Sequence, residues 1–300
     1  MIKSVLLFAF LFLNTSSFSQ ADKYDFFTRH KFTFEAIELS KIKNAKVKTR
    51  KLYSAYYMKD EQLPDKKTLV EEIKFNKKGN PTEKIFYNSM GGIRTKYNYK
   101  YDKNGNLIEE VIIDEYGNVS AKRDISYNSK NDTSKVVIFK ARKSTTDKKV
   151  FEYYDDGKLK QKLYYDKNDQ IYLKEIYTYK NDKLDNIEFF KPDGTSVNKV
   201  VFSYNKAGNL AEEKFPQYQQ TFTYDNRNRL IRSEGRDKVR LHKYDDNNNM
   251  IDDQYFIEKT RRQFKIVFSY FKNGLANEAI RYDALDKKAF YSKYEYEYYK

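Results

Sequence analysis

Residues 101–107 read YDKNGNL, and variants of this stretch recur along most of the chain. An aromatic strand ends at Tyr101, and Asp102 is placed to accept hydrogen bonds from the turn backbone. Gly105 supplies the left-handed conformation that a short hairpin loop with a bulge requires. Leu107 then begins the next strand. The stretch therefore predicts a β-hairpin.

Nine such units follow one another, and self-similarity at a near-constant spacing is typical of repeat architectures. Their aromatic anchors stand at positions 75, 101, 127, 154, 179, 204, 224, 244 and 270. Glycines mark the turns within and between units, and where one is missing an Asn or Asp that tolerates positive φ stands instead. Residues 154–157 and 272–274 have shorter spacing, which predicts tighter hairpins. The predicted structural turn glycines are Gly79, Gly105, Gly117, Gly157, Gly194, Gly208 and Gly274.

The segments between turns alternate with period two, as in Tyr97, Tyr99 and Tyr101 against Lys96 and Lys100. Period two predicts β-strands. Nine units of two strands each give roughly 18 strands in an antiparallel meander. The predicted fold class is all-β: an antiparallel meander of tandem β-hairpin repeats that forms a twisted or rolled β-strip, and the sequence leaves open whether this strip closes, coils or stays open.

The Tyr-Asp-x-x-Gly-Asn-Leu fragments resemble the YD repeats of the RHS family, over roughly residues 70–300. Residues 101–107 match well, residues 204–210 carry Asn205 for the Asp, and residues 224–230 carry Asn228 for the Gly. The resemblance implies a long β-strip of the kind that spirals into shells around toxin domains and is proposed to bind carbohydrate. At this length we expect no closed shell, and from the repeat-like sequence that continues to Lys300 we expect no toxin domain.

The first residues have the pattern of an export signal: Lys3, an apolar run over 5–13, and small residues before a cleavage site after Ser19. We therefore predict a signal peptide over 1–19 and an exported mature chain without a transmembrane segment. A lead-in covers 20–50, with a short helix or irregular structure over 35–44. The repeat domain covers 51–300.

Composition excludes several function classes. The chain has no Cys, which excludes disulfides, thiolate metal sites and a Cys nucleophile. Aromatic residues make up 17% of the chain, which argues against disorder. Lys and Arg number 58 against 43 Asp and Glu, a net charge of +15. This charge is spread among acids, and together with export it argues against a nucleic-acid partner.

No catalytic constellation can be assembled from the sequence, so we expect no enzyme activity, no cofactor and no metal. His30 and His242 are far apart, and His242 is predicted to be an ordinary residue on a strand surface. The acidic run over 245–253 is attributed to turn chemistry rather than to Ca²⁺ binding. The doublets Glu109-Glu110 and Glu212-Glu213 point to opposite faces of a strand and cannot act as acid–base pairs.

Tyr97, Tyr99 and Tyr101 form the candidate ligand surface. Rows of Tyr can stack on sugar rings, and nearby Lys can attract an anionic envelope polymer. The alternative is that Tyr and Lys are simply the amphipathic side chains that a thin, partly wet sheet needs.

Three functions stay open. The favoured one is an exported, non-enzymatic binding or scaffold surface in the periplasm, on the cell surface or outside the cell, with carbohydrate or envelope polymer as ligand. The second is a structural module that recruits a protein partner by strand addition at a sheet edge. The third is an outer-membrane β-barrel, which charges on both faces of residues 259–265 disfavour.

Overall fold

The computed structural model describes residues 38–300, apart from the side chain of Lys143. The predicted signal peptide over 1–19 and His30 lie outside the described residues. Residues 38–44 form a helix, α1, and a single 3₁₀ turn covers Ala141–Lys143. The strands are β1 (Val47–Tyr56), β2 (Thr68–Phe75), β3 (Pro81–Tyr87), β4 (Ile93–Tyr101), β5 (Leu107–Asp114), β6 (Val119–Tyr127), β7 (Thr133–Lys140), β8 (Thr145–Tyr153), β9 (Leu159–Tyr165), β10 (Ile171–Lys180), β11 (Lys183–Phe190), β12 (Ser196–Tyr204), β13 (Leu210–Lys214), β14 (Gln219–Tyr224), β15 (Leu230–Gly235), β16 (Lys238–Tyr244), β17 (Met250–Ile257), β18 (Arg261–Tyr270), β19 (Ala276–Tyr282) and β20 (Lys288–Tyr298).

The 20 strands close into one antiparallel barrel. Each strand pairs with the next along the chain, and β1 pairs with β20 from Val47–Tyr298 to Tyr56–Phe290. The predicted twisted or rolled β-strip is therefore wrong, because the strands close into a barrel. Closure depends on β1 (Val47–Tyr56), which begins in the predicted lead-in and supplies the pairing partner that β20 needs. Because β1 and β20 cover each other, the described strands leave no open edge for strand addition.

The barrel has two unlike ends. The turns that follow the aromatic anchors all lie at one end, here called the YD end, and the other connections lie at the distal end. At every one of the nine YD turns the strand register shifts immediately before the anchor. Such a bulge bends the strand and increases its twist, as a barrel rim requires.

At most of the YD turns a tyrosine hydroxyl then donates a hydrogen bond that ties the rim to the neighbouring strand. Tyr127 Oη, for example, donates to the Leu107 carbonyl at 2.8 Å. Leu107 is itself buried at the start of its strand, so one bond fixes both the rim and the first core residue. The same bond joins Tyr101 to Pro81, Tyr153 to Thr133, Tyr179 to Leu159, Tyr204 to Leu184, Tyr244 to Leu230, Tyr270 to Met250 and Tyr296 to Ala276.

The two turns that were expected to be tighter have the ordinary loop. The fourth anchor is Tyr153 rather than Tyr154, because Tyr153 carries the register shift and the hydroxyl bond. Tyr154 occupies the position of Asp102: its N–H donates to the Lys158 carbonyl, as that of Asp102 does to Asn106. Phe271 takes the same place in the last YD turn. In these two turns Tyr154 and Phe271 replace the Asp of the repeat, and the loop keeps the same length.

The two faces of the wall differ in chemistry. On the outer face, the Glu109 carboxylate forms ion pairs with Lys100 Nζ at 2.6 Å and with Lys122 Nζ at 3.0 Å. Inside, its neighbour Glu110 is buried and lies 3.1 Å from Arg123. The adjacent carboxylates therefore lie on opposite faces. A cluster of buried apolar side chains extends along the inner face from β4 to β15, so the closed wall is charged outside and largely apolar inside.

Helix α1 packs against the YD end. Its residue Ile42 is buried with Val47, Ile73, Phe75 and Leu275. Nearby, Arg50 is buried between Glu38 of the helix and Glu71, which lies 2.5 Å away. No helix within residues 38–300 has the length and apolar character needed to span a lipid bilayer.

The first prediction concerns the hydroxyl bond. Replacing Tyr127 by Phe removes the bond to Leu107 and should lower the free energy of unfolding by about 1 kcal/mol. The matched control is Tyr116→Phe at an exposed distal turn, which should change it by less than about 0.5 kcal/mol. Urea unfolding measures both, and equal effects would contradict a structural role for the Tyr127 hydroxyl.

The second prediction concerns the contact between α1 and the first YD turn. Gly79 and Gly117 both have positive φ, but a Cβ on Gly79 would lie 2.7 Å from Lys43 Cβ, whereas one on Gly117 would meet open space. Both changes to Ala strain the backbone, by about 1–2 kcal/mol. Gly79→Ala should cost about 1 kcal/mol or more beyond Gly117→Ala because the helix must also shift. Chemical denaturation compares them, and equal losses would show that α1 does not press on this turn.

Candidate functional site

The three candidate ligand tyrosines lie on the inner side of the wall or at the rim. Tyr99 is 5% exposed and stacks on Tyr97, with ring centroids 6.4 Å apart. Tyr101 stands at the YD rim, where its hydroxyl donates to the Pro81 carbonyl at 2.7 Å. The structure therefore brings Tyr101 alone of the three to the edge of the barrel. The seven turn glycines all have φ between +79° and +88°.

A groove at the YD end contains Tyr101. It has a volume of about 320 Å³ and runs between the first two YD turns. Both turns are held by their own side chains: Asn76 Oδ1 accepts from the N–H of Lys78 and Asn80, and Asp102 accepts from that of Asn106. The residues that line the groove are Asn76, Lys77, Lys78, Asn80, Tyr101, Asp102 and Gly105.

The two turns are also linked to each other across the groove. Lys78 Nζ lies 3.4 Å from the Lys103 carbonyl, so the Lys78 ammonium lies over the second turn. Gly105 lies close to the Asn80 side chain, since an added Cβ would be 3.8 Å from its Nδ2. The absence of a side chain at Gly105 keeps the floor of the groove open.

Asp102 keeps a negative charge in the groove. Desolvation acts to raise the pKa of Asp102, but hydrogen bonds from the Asn106 side chain and from the turn backbone outweigh it and hold this pKa below its ordinary value. The groove thus presents two ammonium groups, two amides, one carboxylate and one phenol ring. Such groups match a ligand with many hydroxyls and some negative charge.

A buried polar cluster on the inner wall was not foreseen from the sequence. Asp253 is 0% exposed and receives Arg240 through two bonds, of 2.7 and 2.6 Å. His242 Nδ1 lies 3.3 Å from the same carboxylate. The prediction that His242 lies on the surface is therefore wrong. Arg240, His242 and Tyr244 share one face of β16 with period two, which is the sequence signal that could have indicated an inward-facing polar row.

The acidic run over 245–253 does not converge on one point. Asp245 accepts the backbone N–H of Asn247 and Asn249 in its turn, whereas Asp253 faces inward with Arg240. Within residues 38–300, no group of three or more His, Cys, Asp or Glu is arranged to hold a metal ion.

No protein-family model matches the chain, and no curated protein matches it. Similar solved structures include the TcdB2–TccC3 toxin complex, at 12% identity and a TM-score of 0.36, covering 78% of this chain and 16% of that chain. A porin-like protein from Bacteroides uniformis has 12% identity and a TM-score of 0.37, covering 84% and 97%. A DUF1329 family protein from Desulfovibrio piger has 11% identity and a TM-score of 0.23, covering 89% and 91%.

This chain spans about a sixth of the length of the toxin chain. All three TM-scores lie below 0.5, so the similarities identify no function. The resemblance to YD repeats rests on the repeat residues themselves.

The third prediction follows from the buried carboxylate. Burial acts to raise the pKa of Asp253, but the bonds from Arg240 and His242 outweigh it and lower this pKa to about 2. Because the pKa is lower in the folded chain than in the unfolded one, ionised Asp253 contributes stability above about pH 4. This contribution is lost as the pH falls toward 2.

Chemical unfolding at a series of pH values tests this. Between about pH 5 and pH 2, the free energy of unfolding of the wild-type chain should fall by on the order of 1–2 kcal/mol more than that of the Asp253→Asn variant. Asp246→Asn, at a fully exposed position of the neighbouring turn, should keep the wild-type pH dependence. If the free energy of unfolding depended on pH in the same way for the wild type and for Asp253→Asn, the low pKa assigned to Asp253 would be contradicted.

Proposed function

We propose that this chain is an exported, non-enzymatic barrel of the cell envelope that binds carbohydrate or an anionic envelope polymer. The groove at the YD end carries the proposal. It places Lys77, Lys78 and Asp102 beside the ring of Tyr101 on an exposed rim. An extended polymer can reach such a rim, whereas it cannot reach Tyr99 on the inner wall.

The polarity of the wall supports a barrel surrounded by water. The third alternative, an outer-membrane β-barrel, also requires a closed barrel, and the described strands form one. Its outer face, however, carries Lys100, Glu109 and Lys122 as a cross-strand row, and a second row joins Lys74, Glu83 and Lys96. A Lys in the middle of a bilayer costs about 2–4 kcal/mol, so these rows favour solvent over lipid.

The state of the buried charges supports a non-enzymatic role. Arg50 is held by Glu38 and Glu71, and Asp253 by Arg240. Pairing of this kind compensates the buried charges, as a structural role in the wall requires. Export rests on the predicted signal over 1–19 and agrees with a chain that needs no disulfide.

The fourth prediction uses polygalacturonate as an anionic polysaccharide and dextran as a neutral one, with binding followed by calorimetry. The wild-type chain should bind polygalacturonate, and Lys77→Ala should weaken this binding about twofold to fivefold, since an exposed ionic contact is worth about 0.5–1 kcal/mol. Dextran binding without polygalacturonate binding would move the ligand class to neutral glycans.

Lys206→Ala is the matched control. Lys206 follows Asn205 in its YD turn as Lys77 follows Asn76, but it lies outside the groove. Its replacement should leave the affinity unchanged. Equal losses for the two variants would show that polymer binding follows diffuse charge rather than the groove, and no binding to either polysaccharide would contradict the proposed function.

A further inference from the structure

The turns at both ends of the barrel share one loop geometry. At the distal end, Asn88 Oδ1 accepts the N–H of Met90 at 3.0 Å. Asp114 accepts that of Tyr116 at 3.0 Å, and Asp283 that of Leu285 at 2.8 Å. The loop is therefore formed by the first side chain and the backbone. It requires nothing of the side chain at the third position, here called the tip.

The tips on one side of the distal end are large and apolar. Met90, Tyr116 and Leu285 are 91%, 80% and 77% exposed, whereas the distal turn at Asp166, on another side of the barrel, has Asn168 at its tip. The loop does not require an apolar side chain at its tip. Large apolar side chains that are exposed to water at such positions therefore indicate a contact surface. At the YD end, the tips of loops with the same bond pattern are Lys78, Lys130, Arg227 and Asn247.

The apolar tips are neighbours on the rim. Around the barrel, the connections β19–β20, β1–β2, β3–β4 and β5–β6 are consecutive because β1 pairs with β20. The β1–β2 connection fills the place between Leu285 and Met90 with two further exposed side chains. The apolar arc consists of Leu285, Tyr56, Met58, Met90, Ile93 and Tyr116.

Basic turns flank this arc. Beyond Tyr116, the β7–β8 connection carries Lys140 and Arg142, and beyond Leu285 the β17–β18 connection leads into Arg261 and Arg262. Three of these cations also form ion pairs at the surface: Lys140 with Asp147, Arg261 with Glu258 and Arg262 with Asp286. Asp114 and Asp283 accept turn N–H groups, whereas Glu61, Asp65 and Glu115 are exposed carboxylates near the tips. The chain as a whole has a net charge of +15.

We propose that the apolar arc docks the distal rim on the surface of an anionic lipid bilayer. Isolated side chains that protrude from hairpin tips insert readily into a soft interface, where Tyr and apolar side chains are stabilised. The flanking Lys and Arg then meet anionic headgroups. The charged outer wall stays in water, because only the tips enter the lipid.

This inference goes beyond the proposed polymer binding and uses the opposite end of the barrel. A chain docked by its distal rim would present the YD-end groove away from the membrane. The two activities therefore fail independently: changes at Lys77 affect polymer binding, and changes at the tips affect membrane binding.

Vesicle flotation tests the docking surface with the full mature chain. Vesicles of phosphatidylcholine with roughly 30% phosphatidylglycerol should carry the wild-type chain upward, and pure phosphatidylcholine should carry clearly less. The triple variant Met90→Ser, Tyr116→Ser and Leu285→Ser should lower the fraction bound at least tenfold. Its urea unfolding midpoint should stay close to that of wild type, since the turn bonds come from Asn88, Asp114 and Asp283.

The matched control removes three exposed apolar side chains away from the arc, by Tyr154→Ser, Val201→Ser and Tyr298→Ser. It should float like the wild type, and the tip variant should still bind polygalacturonate. Flotation that survives the triple change, or no flotation of the wild type on anionic vesicles, would overturn the proposal. Light scattering provides a further outcome against it: self-association abolished by the tip changes would make the arc a contact between copies.

Discussion

The pairing of β1 with β20 is the constraint on which the rest of this structure depends. A meander of hairpins has two edges, each a row of unpaired N–H and C=O groups. Joining Val47–Tyr56 to Lys288–Tyr298 covers both edges and divides every strand into an inward and an outward face. The charged outer rows, the buried inner side chains and the two unlike rims all follow from that division.

The rims show how one loop serves different purposes. Nine register shifts and a repeated tyrosine–carbonyl bond fasten the YD end, and α1 packs against it. The distal end uses the same Asx-type loop and, at several turns, the same register shift, but its described turns have no such tyrosine–carbonyl bond. Because the loop is formed by its first residue, its tip is free to vary. The apolar arc of the distal end carries Met, Tyr and Leu at its tips, where turns of the YD end carry Lys, Arg and Asn. On this account, polymer recognition and membrane contact lie at opposite ends.

Much of the local structure was predictable because it is encoded within a few residues. The alternation of Tyr97 and Tyr99 with Lys96 predicts the strand, and Gly105 with Asp102 predicts the turn. Closure was not predictable in this way, since it joins residues about 240 positions apart in sequence. The same holds for the buried charges: Lys84 and Glu71 look like surface residues until the paired strands place them 3.2 Å apart on the inner face. Tyr101 was singled out from the sequence as a ligand residue, but only the neighbouring turn at Asn76 shows that it borders a groove.

A cross-link across the closing pair tests the central claim most directly. The chain has no Cys, so Ser54→Cys with Ser292→Cys introduces a single thiol pair at register partners of β1 and β20. Mild oxidation of the dilute, folded double variant should give an intramolecular disulfide, seen as a loss of two hydrogens by mass spectrometry and as faster migration on a non-reducing gel. Ser54→Cys with Ser233→Cys, on the distant strand β15, should stay reduced. Free thiols or only intermolecular dimers in the Ser54–Ser292 variant would contradict the closed barrel.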